Sequence, residues 1–155
     1  MIGNDNYFRT LFIMHKAMLY GLCFFIAAIF FIIRYEAVTP LLQTKDVSKW
    51  IAALIFIGVA LIWVSIFFFN QRIKKLKEST DPVPEKLNRY RSTLIGRWAI
   101  MELATMCFIF AYFFSGIKEI LLLQILMIGL FFIAGTNKRR AMQHLELSEN
   151  ELPDS

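Results

Sequence analysis

The stretch WIAALIFIGVALIWVSIFFF, residues 50–69, decides the fold class. It carries no charge, and Ser65 is its only hydroxyl. Its Ile and Val content would suit a buried strand, but strands rarely exceed about ten residues, and this apolar run is twice that. As an α-helix, the run rises ~1.5 Å per residue and reaches about 30 Å, the thickness of a bilayer's hydrocarbon core. Trp50 opens it as an interfacial aromatic, and Asn70, Gln71 and Arg72 close it.

Three further segments extend the reading: 11–33, 94–114 and 119–135. The first has an unbroken apolar core from Ala17 to Ile33, preceded by His15 and Lys16. Lys16 can carry its ammonium outward along its own stem. A cleaved signal peptide is the rival for this segment. The stretch is long and Phe-rich for one, and Tyr35-Glu36-Ala37-Val38 lacks a small-x-small cleavage pattern. The third segment contains Arg97, Trp98 and Glu102; the fourth, the shortest, is interrupted only by Gln124. The expected fold is all-α, a single membrane domain built as a bundle of four antiparallel transmembrane helices.

The chain is 57% hydrophobic with 16 Phe and 19% charged, and the charges crowd into the connections. The 71–93 loop is highly charged and broken by Asp81-Pro82-Val83-Pro84, so helix two should run on through Lys77 and a new helix start near Glu85. Residues 34–49, with Pro40, form a polar link that suits a short surface helix. Ser115 to Glu119 reads as a tight turn around Gly116, and 141–155 as a flexible, acidic-ended tail.

Lys and Arg fix the expected orientation. Arg9 and Lys16, eight residues from Arg72 to Arg97, and Lys138, Arg139 and Arg140 put thirteen on one side. Arg34, Lys45, Lys49 and Lys118 put four on the other. The positive-inside rule then places both termini and the 71–93 loop in the cytoplasm of a bacterial inner-membrane protein. The formal charge of +5 also invites a nucleic-acid reading, but no basic run carries an aromatic platform or a recognition motif, so no nucleic-acid partner is expected.

A faint repeat sets His15-Lys16-Ala17-Met18-Leu19-Tyr20 beside Arg97-Trp98-Ala99-Ile100-Met101-Glu102, and Ile57-Gly58 beside Ile128-Gly129. Two like-oriented hairpins related by duplication would account for it; chance likeness between apolar helices is the rival.

Glu102 is the residue that demands a chemical account. It lies about 12 Å below the start of its segment, where an ionised carboxylate costs at least ~3 kcal/mol. It should be protonated, paired or turned into the bundle. Trp98 and Thr105 share its helical face, and Tyr20, Ser65 and Gln124 are candidates to reach it from other helices. Arg97 lies about 140° around the same helix and is poorly placed. The candidate proton or ion site is therefore Glu102, Thr105, Tyr20, Ser65 and Gln124; a structural carboxyl is the alternative. His15 and His144 have no obvious partners, and Cys23 and Cys107 have no CxxC or metal-ligand spacing. No phosphate loop, Gly-x-Ser-x-Gly or HExxH occurs, so no enzyme activity, cofactor or metal is expected. Gly21, Ala27, Ala28, Gly58, Gly96 and Gly129 are candidates for close helix contacts.

Ala99-Ile100-Met101-Glu102-Leu103-Ala104 resembles the carboxylate-bearing helix of rotary ATPase c subunits, which implies a proton or sodium carrier. That family places its carboxylate on the second helix of a hairpin and has a glycine-dense inner helix, and this chain departs in both respects. Over its whole length the chain is similar to small, uncharacterised four-span bacterial membrane proteins, which implies a fold and no activity. Three functions follow as expectations. The first is an accessory or structural subunit of a larger membrane complex. The second is an oligomeric proton or cation translocator using Glu102, and the third is a dimeric small-molecule transporter. The expected partners are the lipid bilayer and either another membrane protein or further copies of the chain.

Overall fold

The computed structural model describes residues 4–35 and 45–147, and all its regular structure there is helical. In chain order the elements are α1 (Asn4–Arg34), α2 (Lys45–Glu78), α3 (Val83–Ser115), α4 (Lys118–Ile133) and α5 (Lys138–Leu145). The expected surface helix around Pro40 and the acidic tip of the tail fall outside the described residues.

α1, α2 and α3 are each long and apolar enough to cross a membrane, and α4 with α5 makes a bent pair that would bring the total to four. α2 and α3 run well past the apolar runs, so most of 71–93 is helix and only Ser79 to Pro82 breaks it. Pro82 caps α3 with Pro84 in its first turn, where a missing N–H costs nothing. Gly116 ends α3 in the left-handed region at φ 66°, its N–H bonded to the Tyr112 carbonyl at 2.8 Å. That geometry favours glycine and produces the expected tight turn.

α3 is the central helix. α2 lies antiparallel along it, joined where a Cβ on Gly58 would stand 2.8 Å from the Phe108 ring. α1 packs on α3 and α4 rather than on α2, which departs from a pair of equivalent hairpins. The repeat fails at the glycines too: nothing lies within 4 Å of a Cβ on Gly129, the counterpart of Gly58. Gly21 and Gly96 likewise face open space. Where the sequence suggests a tail from residue 141, the chain instead turns 76° after α4 into α5 and buries Ala141 and Leu145.

The core divides in two. Leu94, Trp98 and Phe131 centre the half nearer the basic residues, and Ala104, Phe108 and Met127 the other half.

Candidate functional site

The residues expected around Glu102 do not converge. Glu102 is half-buried and, among the described residues, has no hydrogen bond or ion pair. Tyr20 is 66% exposed on the outer face of α1. Ser65 Oγ donates to the Arg97 carbonyl at 3.4 Å, Thr105 Oγ1 to the Met101 carbonyl at 2.9 Å, and Gln124 Nε2 to the Phe108 carbonyl at 3.1 Å. Each of these three donors is thus tied to backbone, the usual fate of a hydroxyl or amide inside an apolar helix bundle. Gln124 Oε1 stays buried without a partner.

The polar groups that do converge lie at the basic end of the bundle, around the C-terminus of α4. A helix end leaves four carbonyls without intrahelical donors. Those of Leu130 and Phe132 accept from the N–H groups of Ala134 and Gly135 at 2.9 and 3.2 Å. The Phe131 carbonyl accepts from His15 Nε2–H on α1 at 2.8 Å, and that of Ile133 from Arg140 on α5 at 2.8 Å. Just beyond, Trp98 Nε1–H of α3 donates to the Ala134 carbonyl at 3.1 Å, and Arg140 donates again, to Gly135, at 2.7 Å. Three elements therefore cap a fourth, and the Arg140 charge opposes the negative end of the helix dipole.

Packing holds the cap in place. The His15 ring stacks on Phe131 with centroids 5.2 Å apart and tilts against Trp98 at 5.0 Å. Gly135 leaves room for it, since a Cβ there would stand 2.7 Å from His15 Cε1. α5 is positioned by Asn137, whose side chain accepts the Arg140 N–H at 2.9 Å as an N-cap. Tyr90 OH bonds His144 Nδ1 at 2.9 Å and Thr136 Oγ1 at 3.1 Å. Burial, reinforced by Arg97, Arg140 and Lys77, holds the His144 imidazole below its ordinary value. A neutral ring then accepts the Tyr90 proton at Nδ1.

Arg97 sits beside this cap and belongs to a second group. Its guanidinium lies over the Phe69 ring at 4.4 Å, while its own backbone is level with Ser65. Phe69 is one helical turn beyond Ser65 towards the basic end, so the side chain reaches about 6 Å in that direction. It lines a 240 Å³ cavity against the cap and a 220 Å³ cavity between α2 and α3. Its Nε is buried without a partner.

Among the described residues no group of three or more His, Cys, Asp or Glu side chains gathers, and Cys23 and Cys107 are free thiols. No family model matches the chain, and neither does any curated protein or solved structure.

Proposed function

We propose that this chain is a multi-pass protein of the bacterial inner membrane that serves as an accessory or structural subunit of a larger membrane complex. Both termini and the α2–α3 connection would face the cytoplasm. The observation that carries the reading is the unequal burial of its long helices. The chain itself buries 44% of the most apolar window of α3, but 17% of that of α2 and 11% of that of α1. Their outer faces present Phe24, Phe56 and Trp63, each at least 66% exposed. Lipid tails are as apolar as these rings, so association there depends on shape and contact area, which two long aromatic faces supply. The chain's polar groups support the same reading, because Ser65, Thr105 and Gln124 each donate to a backbone carbonyl.

The test is the native mass of the protein gently extracted from its own membrane. A mass that requires other polypeptides supports the subunit reading. The chain alone, or an integer multiple of 18.1 kDa, overturns it.

Glu102 favours one rival, an oligomeric proton or cation translocator, because it is a half-buried carboxylate with no partner among the described residues. On that reading Glu102→Gln abolishes ion flux in proteoliposomes, and unchanged flux eliminates it.

A further inference from the structure

Four cations line one groove at the basic end, and among the described residues three of them, Arg97, Arg72 and Lys75, have no carboxylate paired with them. Arg97 and Arg72 line the 220 Å³ cavity between α2 and α3, and an adjoining 260 Å³ cavity shares Arg72 and Thr93 and adds Lys75. Among the described residues, none of the three cations makes a hydrogen bond from its side chain or an ion pair. Arg89 lines the 260 Å³ cavity as well, but Asp81 and Glu85 hold it at 2.9 and 2.7 Å, and Glu146 holds Lys77 at 2.7 Å, so these carboxylates are already paired. A guanidinium offers five N–H donors in a planar fork, and leaving a buried donor such as Arg97 Nε unpaired is costly. Phe69 covers a face of the Arg97 fork, and Nε at its edge is buried with no partner.

The acceptor that fits is a phosphate, whose oxygens take such a fork two at a time. The setting suits a lipid headgroup. Arg72 follows directly on the polar close of the apolar run, and half-exposed Phe68 stands at the same cavity as an apolar wall for an acyl chain. Basic pockets between transmembrane helices on the cytoplasmic side take anionic headgroups on this chemistry. Gly96 lines the cavity too and leaves it open, with nothing within 4 Å of where a Cβ would stand.

We propose that the α2–α3 groove is a phosphate site, filled by an anionic phospholipid headgroup or by free phosphate, with Arg97 and Arg72 as its donors. The site does not depend on the subunit reading; its lipid form requires only that α2 and α3 lie in a bilayer.

Native mass spectrometry of the full chain in mild detergent tests it, by titration with phosphatidylglycerol, with phosphatidylcholine of the same chains, and with inorganic phosphate. Preferential retention of phosphatidylglycerol that phosphate does not displace identifies the lipid. Binding of inorganic phosphate, or displacement by it, identifies the free anion. Arg72→Gln, an exposed substitution, should lower affinity about fivefold, the effect of one basic residue near an anionic surface. Gly96→Leu should lower it by filling the groove while every charge stays, and Lys138→Gln on α5 should leave it unchanged. Three results overturn the proposal. These are equal retention of both lipids without phosphate binding, wild-type affinity in both groove variants, or an equal loss in Lys138→Gln, which would reduce the effect to general surface charge.

Discussion

On one side of Arg97 the terminus of α4 has its carbonyls paired by side chains from three other elements; on the other, the α2–α3 groove holds Arg97 and Arg72, which have no carboxylate partner among the described residues. Both regions are polar, and both lie at the same end of the bundle. They differ in whether their donors are satisfied. In a low-dielectric setting an unpaired carbonyl costs several kcal/mol, so the paired region reads as structure. The unopposed guanidinium reads as a group that a ligand completes.

That contrast breaks most readily at Trp98, which is fully buried. Trp98→Ala should destabilise the fold by about 3–5 kcal/mol through the lost volume and the orphaned Ala134 carbonyl. Trp98→Phe should cost less, about 1–3 kcal/mol, by orphaning the Ala134 carbonyl while keeping most of the packing. Unfolding in graded SDS measures both, and a wild-type midpoint for Trp98→Ala would show that the cap is dispensable. Next in size is Gly135→Ala, expected to cost about 1–3 kcal/mol by pushing His15 off the Phe131 carbonyl. Gly129→Ala is its control: with open space around it, the change should be neutral or mildly stabilising. Equal effects at the two glycines would show that the His15 contact does not decide the outcome.

The smallest effect is the pH dependence of His144. Its folded-state value lies below the ordinary 6.5, so the unfolded chain binds the proton more readily. Stability from this group is present above pH 6.5 and declines as pH falls from there through the lower folded value. The decline should weaken in His144→Gln, and an unchanged slope across that window would assign it to other groups.

Local chemistry made the helices legible. The 50–69 run, the Asp81-Pro82-Val83-Pro84 break and Gly116 each dictate backbone within a few residues, and the structure follows all three. The cap was not legible, because it depends on register between distant helices. His15 lacks a partner in the sequence and finds one 116 residues away, at a carbonyl that no side-chain pattern reveals. The site expected at Glu102 was inferred from depth and from the helical face it shares with Thr105, and neither says which way a hydroxyl turns. α5 did leave a signal, Asn137 as a cap ahead of good helix formers, obscured by the charges that made the region read as a tail.

The way α4 is capped also bears on how the chain is made. Its end is completed by α1, which leaves the ribosome long before it, and by α5, which leaves after it. A nascent chain paused at the end of α4 would hold that helix with the Arg140 contacts to Ile133 and Gly135 still missing. The cap on α4 is therefore a contact that forms only after α5 has followed it out, although most of the helices it joins are made earlier.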